Sequence, residues 1–447
     1  MTSHRSSTAW PISVALACLS LWAPRARAQC PPPELTLTQA AIDRGFTLTT
    51  FACGFPSGGL FGEGPLGIAF KPDGEVLVTG YLGGAIYLLP NDADGQIGPY
   101  NEIASYGIDG DAFALAQVQV NHQWKYYLTQ SQSANQIIEI NPTNGSNART
   151  IAALSNALGI APYPPQGDLI GLRGHLFVTD NAGGNIWDVN PQADPPTATP
   201  FLSVGVYAGG LAFSPDGSTI YVSIYGAGTQ VVRSYDMETP ATPVWESPAI
   251  PANPLGISIG LGALDGYIYV NCINGEVLEL RPGTPQVNLI ASGGIQGVWA
   301  AVDPNIYTGD GFPTLLLTQQ DRIMRLNHPS GGFFGPPTSS TLNVAVSVDD
   351  RPVGRPVSLA IYGNPMTLGT AVRIAFSVPQ SGHAVLRIYD VAGAVVATLL
   401  DKEMGTGTQL VSWDGLTARG DHARAGMYFL RLSANHSEAM GTLVVLR

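Results

Sequence analysis

This 447-residue sequence contains few charged residues, and their balance limits the kinds of partner that the protein can bind. Charged residues make up 12% of it, with 21 Lys and Arg against 33 Asp and Glu, so the formal net charge is −12. Nucleic acids and anionic membranes attract basic surfaces, and the acidic balance therefore argues against both as partners. Past the N-terminal segment, no stretch reaches the roughly 18 consecutive apolar residues of a membrane helix, so no membrane span is expected.

Cysteine and histidine are also scarce. The four cysteines show no C-x-x-C spacing and the seven histidines no paired spacing, which argues against zinc or redox chemistry. Cys30 and Cys53 flank the segment before the repeats described below, whereas Cys272 lies in an apolar strand pattern. We expect a disulfide between Cys30 and Cys53. No cofactor is predicted.

The N-terminus has the pattern of a signal peptide over residues 1–28. A basic start at His4 and Arg5 precedes an apolar run, and Ala26-Arg27-Ala28 supplies an A-x-A cleavage site. A lipoprotein box ending at Cys18 is the alternative, but the apolar run continues past that cysteine. The predicted location is outside the cell or on its surface, with the periplasm as the alternative.

Glycine and proline are abundant, at 53 and 35 residues, and short apolar runs recur between them. One marker, a small, an apolar and another small residue, occurs at Gly67-Ile68-Ala69, Ala114-Leu115-Ala116, Gly159-Ile160-Ala161, Gly210-Leu211-Ala212, Gly256-Ile257-Ser258 and, more loosely, Gly297-Val298-Trp299. A second marker, the centre of the strand that closes each unit, occurs at Ile86, Ile137, Ile186, Val231, Val277 and Ile323. Successive copies lie roughly 40 to 50 residues apart, which is the repeat length of a propeller.

Each repeat predicts a four-stranded antiparallel blade. Pro72-Asp73-Gly74 and Pro215-Asp216-Gly217 have the residues of tight turns, and apolar strands and glycine-rich turns follow them. We therefore predict an all-β chain with a six-bladed β-propeller over residues 45–326, after an N-terminal extension over 29–44. Phe46–Ala52 is expected to add an outer strand to the sixth blade and so close the ring.

The pattern changes after the sixth repeat. Residues 327–356 are rich in Gly, Pro and Ser and read as a linker with one short strand at Leu342–Val348. Residues 357–447 contain six or seven short strands, which predicts a small immunoglobulin-like β-sandwich.

This C-terminal segment resembles the immunoglobulin-like domain of the flagellar hook-capping type, which also serves as a secretion-sorting domain of exported bacterial proteins. The matching residues are Asn364-Pro365, Val378-Pro379, Gly382, Ile388-Tyr389-Asp390, Gly393, Trp413-Asp414-Gly415, Gly420 and Gly426-Met427-Tyr428. It departs from the pattern at Ala394, where relatives usually carry Arg, and at Thr417. The resemblance implies a role in export, surface attachment or assembly.

The repeats resemble the group of six-bladed propellers that includes the gluconolactonase and senescence-marker family, NHL repeats and streptogramin lyases. The lactonase resemblance implies a divalent metal held by Glu in E-x-P, Asn in P-N-G-L and Asp in P-D-G. Glu63-Gly64-Pro65 matches the first motif, but Gly209 and Leu255 stand at the other two ligand positions. One carboxylate does not hold Ca²⁺, which takes six to eight oxygens. The lyases use a P-H-G motif, which the repeats lack.

The repeat phase gives the binding-site candidates. The residues three positions before four of the markers are polar: Asp111, Asn156, Tyr207 and Asn253. The residues one position before the markers are mostly apolar, but they include Gln296. If the loop before each marker faces the central channel, these residues and Glu63 line a channel opening suited to a small ligand. The alternative is that Asn and Asp cap turns there.

Two further motifs are interpreted as chance or structural matches. Gly256-Ile257-Ser258-Ile259-Gly260 fits the nucleophile pattern G-x-S-x-G, but it lies inside a repeat marker and no helix follows. Asn91–Gly95 begins like a calcium loop but lacks the distal Glu, so a long turn is the preferred interpretation.

These observations favour a binding or scaffold protein for a small molecule, a glycan or a protein, carried on a secreted propeller. The alternative is an enzyme: a metal-dependent lactonase or hydrolase that keeps Glu63 and recruits Asp111, Asn156 or Asn253 as replacement ligands for Ca²⁺. A third interpretation makes the chain purely structural.

Overall fold

A computed structural model shows a chain built almost entirely of β-strands, as the sequence predicts. It describes residues 30, 34–58, 64–120, 123–165, 167, 169–181, 183–303, 313–328, 332–335, 358–362, 366–367, 371–378, 381–391, 393–404, 407–434 and 437–446. The predicted signal peptide, Glu63 and the predicted strand at 342–348 lie outside these residues. No helix in the described part of the chain is long and apolar enough to cross a membrane.

The propeller strands follow one another in the predicted order. Before the first blade lie β1 (Thr36–Leu37), α1 (Gln39–Asp43) and β2 (Thr47–Cys53). Blades one to three contain β3 (Pro65–Phe70), β4 (Val76–Gly80), β5 (Ala85–Leu89), β7 (Asn101–Ser105); β8 (Leu115–Val120), β9 (Gln123–Gln130), β10 (Gln136–Ile140), β11 (Asn147–Ala153); and β12 (Ala157–Pro162), β13 (Leu176–Asp180), β14 (Asn185–Asn190), β15 (Thr197–Ser203). Between β5 and β7 in the chain lies β6 (Gln96–Ile97), which pairs with β2 in the sheet of the sixth blade. Short 3₁₀ turns lie at Leu82–Gly84 and Ile170–Leu172.

The remaining blades continue the same arrangement. They contain β16 (Tyr207–Phe213), β17 (Thr219–Gly226), β18 (Thr229–Asp236), β19 (Trp245–Glu246); β20 (Pro254–Gly262), β21 (Ile268–Cys272), β22 (Val277–Leu280), β23 (Val287–Ser292); and β24 (Ala300–Asp303), β25 (Thr314–Thr318), β26 (Arg322–Asn327). The second sequence marker lies in the third strand of each blade, not in the last one as predicted, because a fourth strand pairs with its outer edge.

The six blades of the described chain close into a ring. The first strand of each blade contacts the first strand of the next, and β24 contacts β3. Apolar clusters fill the spaces between blades; one of them joins Ala69 and Leu77 of the first blade to Leu115 and Leu128 of the second. The predicted tight turns are present, with φ of +94° at Gly74 and +68° at Gly217, values that glycine adopts readily.

The N-terminal segment completes the ring. β2 pairs antiparallel with β26 and is the fourth strand of the sixth blade, as predicted for Phe46–Ala52. β1 pairs with β23 of the fifth blade, and Arg44 forms a 2.7 Å ion pair with the fully buried Glu279 of that blade. One N-terminal segment thus holds the outer edges of two blades.

The cysteines reinforce this closure. Cys30 and Cys53 form a disulfide with a Cα–Cα distance of 5.8 Å. Cys272 is free, and burial raises the pKa of its thiol to about 12. At neutral pH that thiol is protonated and unreactive.

The segment after the sixth blade returns to the ring. β27 (Gly332–Gly335) lies within the predicted linker and pairs antiparallel with β20, from Ile259↔Gly335 to Gly262↔Gly332. It occupies the channel-side edge of the innermost strand of the fifth blade. Phe334 is fully buried there, with its ring centroid 5.0 Å from that of Tyr269.

The C-terminal unit is a two-sheet sandwich. Its strands are β28 (Ser358–Tyr362), β29 (Met366–Thr367), β30 (Val372–Val378), β31 (Gly382–Asp390), β32 (Val395–Met404), β33 (Gly407–Trp413), β34 (Gly426–Ala434) and β35 (Ser437–Leu446). The sheets have the orders β28-β30-β33 and β29-β35-β34-β31-β32. Trp413 lies in the core, where its Nε1 donates to Leu416 O at 2.7 Å.

Candidate functional site

The small residue that opens each marker allows neighbouring first strands to approach closely. A Cβ atom at Gly67 would lie 2.4 Å from the backbone nitrogen of Leu115, and one at Gly256 would lie 2.4 Å from that of Ala300. Such contacts are too short for any side chain. The repeat pattern therefore records the packing of the first strands around the central channel.

A buried hydrogen-bonding side chain on the second strand links each of five blades to the next. Thr179 Oγ1 accepts from Gly159 N at 2.7 Å and donates to Gly209 O of the following blade at 2.9 Å. The equivalent donors are Thr79, Thr129, Ser223 and Asn271. All five side chains are fully buried. This set was not predicted from the sequence; its signal is a Ser, Thr or Asn directly after an aliphatic residue in the second strand.

The same contacts correct the sixth repeat. Trp299 N donates to Thr318 Oγ1 at 2.7 Å, as Gly159 N does to Thr179, and Ala300 pairs with Leu317. The sixth marker is therefore Trp299-Ala300-Ala301 and not Gly297-Val298-Trp299. With this register Gln296 lies three positions before its marker, in phase with Asp111, Asn156, Tyr207 and Asn253.

The channel is filled at the end where the first strands begin. The residues directly before the markers, except Gly209, and the tryptophan of the sixth marker pack in one apolar cluster; they are Leu66, Phe113, Leu158, Leu255, Val298 and Trp299. We call this cluster the closed end. Each of its members is at most 7% exposed, and the rings of Phe113 and Trp299 lie edge to face at 6.2 Å. An open mouth with an apolar lining was expected at this end, but the apolar side chains fill it.

Two of the predicted polar residues are engaged in local contacts. Asp111 is buried, and its Oδ1 accepts from the backbone nitrogens of Gln132 at 3.0 Å and Ser133 at 2.9 Å. Asn253 Oδ1 accepts from Gln230 Nε2 at 3.4 Å. Asp111 thus fits the turn-capping alternative.

The other candidates are placed differently. Asn156 and Gln296 both have left-handed backbone conformations, with φ of +50° and +54°. Tyr207 is 47% exposed, with its ring centroid 5.7 Å from that of Tyr225. None of these described candidates lines the cavity described below, and Glu63 lies outside the described residues.

The metal site implied by the lactonase resemblance does not fit the residues present. Gly209 has no side chain, and its carbonyl accepts from Thr179; the Leu255 side chain belongs to the closed end. Within the described ranges, no three His, Cys, Asp or Glu side chains are grouped to hold a metal ion. No step through a metal is therefore derived.

A cavity of about 510 Å³ lies beyond the closed end, along the remaining parts of the first strands. We call it the channel cavity. It is lined by residues of all six first strands, by Pro162–Pro165 and by Gly335 of β27. Its polar lining includes Ser258, three glutamines (Gln117, Gln119 and Gln192) and Arg173. Trp299 belongs to both the closed end and the cavity wall, so it separates the two.

Ser258 is not a nucleophile of the elbow type. It lies within β20 and pairs with Tyr269 in the neighbouring strand, whereas the elbow requires a strained strand-to-helix turn. Ser258 is nevertheless in the wall of the channel cavity, a position that the sequence did not reveal.

The calcium-like loop Asn91–Gly95 takes part in ring closure. Arg325 of the sixth blade donates through Nε to Asp94 Oδ1 at 2.7 Å and through Nη2 to Asp92 O at 2.6 Å. Arg325 also pairs with the fully buried Asp303 at 2.5 Å. The oxygens of Asp94 and Asp92 that contact Arg325 therefore join the first and sixth blades.

Comparison with known families identifies one part of the chain. The family model of the FlgD Ig-like domain matches residues 363–438. A FlgD Ig-like domain is present at the C-terminus. This match confirms the resemblance to the hook-capping type, and the two sheets of the C-terminal sandwich contain the residues of the FlgD Ig-like domain.

Solved propellers are similar to the N-terminal part at low identity. A gluconolactonase from Xanthomonas campestris has a TM-score of 0.48 and 13% identity over 68% of this chain and 99% of that chain. An aldose sugar dehydrogenase from Streptomyces coelicolor has a TM-score of 0.45 and 16% identity over 63% and 98%. A virginiamycin B lyase from Staphylococcus aureus has a TM-score of 0.40 and 15% identity over 63% and 99%. No curated protein sequence matches the chain. These similarities are too distant to transfer an activity.

Proposed function

We propose that this protein binds a small organic molecule in the channel cavity. The observation that carries the proposal is the cavity itself. At about 510 Å³ it lies within the 300–1,000 Å³ typical of small-ligand sites, and it combines an apolar wall with a few polar side chains.

The lining favours binding over catalysis. Among its described lining residues, Arg173 is the only Asp, Glu, His, Lys or Arg, and Arg173 Nε already donates to Gly167 O at 3.0 Å. Hydrolysis or proton transfer needs an activated nucleophile or a general acid and base, which such a wall does not supply. The enzyme alternative gains no support from these side chains.

We further propose that the protein is exported and that its FlgD Ig-like domain serves secretion, surface attachment or assembly. The signal-peptide pattern over residues 1–28 and the family match at 363–438 support this proposal. Fractionation of expressing cells, with and without residues 1–28, tests the export step. Cytoplasmic retention of the full chain would contradict it.

Ligand screening tests the binding proposal. A library of small organic molecules is added to the purified mature protein, and hits are scored by the rise in Tm. Gln119 is half-buried in the cavity wall, so Gln119→Trp fills space there and should abolish the shift caused by a hit. Gln123→Trp is the matched control, because Gln123 is exposed at the start of β9, the partner strand of the same hairpin, and does not line the cavity. Hits that bind both variants equally would place binding elsewhere.

A further inference from the structure

Ser258 stands out among the residues of the channel cavity wall. It is 3% exposed, and its Oγ is buried without a hydrogen-bond partner among the described residues. A buried hydroxyl without a partner destabilises a fold, because it has lost its bonds to water and gained none. Such a group calls for an explanation in the function of the site.

The repeats show that the hydroxyl is not needed for packing. Ser258 is the third residue of its marker, and in the corrected register the five equivalent residues are all alanine: Ala69, Ala116, Ala161, Ala212 and Ala301. Alanine would fill this position without the cost of burying a hydroxyl. The fifth blade therefore carries a polar atom that the ring itself does not use.

A second buried polar side chain lines the same cavity. Gln117 is 1% exposed, and its Oε1 accepts from Phe70 N, while no described residue accepts from its Nε2. The cavity wall thus offers hydroxyl and amide groups, with a single charged side chain that is already hydrogen bonded. A cationic ligand would lose its hydration there without gaining a counter-charge, and an anionic ligand would meet only Arg173.

We infer that Ser258 is the hydrogen-bonding anchor for the ligand of the channel cavity, and that this ligand is a neutral, hydroxyl-bearing molecule, a polyol or saccharide. This inference rests on the proposed function and specifies its ligand class. Ligand hydroxyls both donate and accept, so they match the Ser258 hydroxyl and the free amide hydrogens of Gln117.

The test compares Ser258→Ala with the wild-type protein in two measurements. Without ligand, the variant should melt about 2–4 °C higher, because the unpaired hydroxyl is gone. With cellobiose and D-mannitol as neutral probes, and D-glucuronate and glucosamine as charged ones, calorimetry should detect binding of a neutral probe. Ser258→Ala should weaken that binding about tenfold. Trp124 and Trp299 in the cavity wall provide a fluorescence readout of the same binding.

Ser234→Ala is the matched control, since Ser234 is also a buried strand serine but does not line the cavity. It should leave probe binding unchanged. The inference is overturned if no neutral probe binds at millimolar concentration, if charged probes bind as well as neutral ones, or if Ser258→Ala leaves both Tm and affinity unchanged. A library ligand whose binding is abolished by Gln119→Trp but unchanged by Ser258→Ala would overturn this inference alone and leave the proposed function standing.

Discussion

The two ends of the central channel are built from the same six strands but differ in what fills them. At the closed end, the residues directly before five of the six markers are large and apolar, and they pack in one cluster. At the other end, the third residue of the marker is alanine in five blades, and a cavity of about 510 Å³ remains. Side-chain size at two positions of the repeat thus decides which end of the ring can receive a ligand.

The comparison also separates stability from function. The closed end contributes apolar burial, which is the dominant stabilising term in folding. The cavity end contains the unpaired Ser258 hydroxyl and an unfilled volume, so it contributes less apolar burial. Substitutions at the two ends should therefore differ in their effect on the free energy of unfolding.

The largest expected effect is at the closed end. Leu66 is fully buried in the apolar cluster, so Leu66→Ala should lower the free energy of unfolding by about 2–5 kcal/mol. Val120 lines the cavity and is only half-buried, so Val120→Ala should cost less than about 1.5 kcal/mol. Urea unfolding of both variants measures the difference. Equal losses would mean that the two ends are packed alike.

A smaller effect is expected from the strand that borders the cavity. Deleting residues 357–447 should leave a cooperatively melting propeller, whereas deleting 329–447 also removes β27 and the buried Phe334. Losing the burial of one phenylalanine costs about 1.5–3 kcal/mol. Melting curves of the two truncated proteins compare them directly. If both melt alike, β27 does not stabilise the ring; if the shorter deletion abolishes cooperative melting, the propeller depends on its C-terminal domain.

The smallest effect is expected from Glu63, the residue left from the lactonase metal motif. Glu63→Gln should change neither Tm nor calorimetric Ca²⁺ binding, because Gly209 and Leu255 supply no side-chain oxygen to complete a coordination shell. The wild-type protein should correspondingly show no lactonase activity that depends on added Ca²⁺ or Zn²⁺. Micromolar Ca²⁺ binding that Glu63→Gln abolishes would reveal replacement ligands and would favour the enzyme alternative.

The sequence predicted the architecture because backbone packing constrains the repeat. Glycine at positions such as Gly67 and Gly256 is required by strands that nearly touch, so the marker survives in the sequence. The sixth marker was placed two residues early because Trp299 stands where other blades have a small residue, and Gly297 nearby imitates the pattern. Only the hydrogen bond to Thr318 fixes the register.

The site was less predictable, since it depends on side-chain volumes that meet from different blades. The repeat phase predicted Asp111 and Asn253 as site residues, but the side chain of Asp111 contacts a neighbouring loop and that of Asn253 contacts Gln230 of β18. In the sequence, Ser258 stands only in a chance match to the G-x-S-x-G motif. Ser258 lines the cavity at a position where the other five blades have alanine. For the sixth blade, this equivalence is seen only in the corrected register.

The pairing of β2 with β26 has a consequence for biosynthesis. Residues 53 and 322 are register partners, so the outer strand of the last blade is made first and its partner is made last. Until the ribosome has passed Asn327, the edge of β2 that pairs with β26 has no native partner and is exposed to wrong pairing. An exported chain would pass through its translocation channel in this open form. Closure of the ring by β2 and β26 therefore requires the whole propeller sequence to be present.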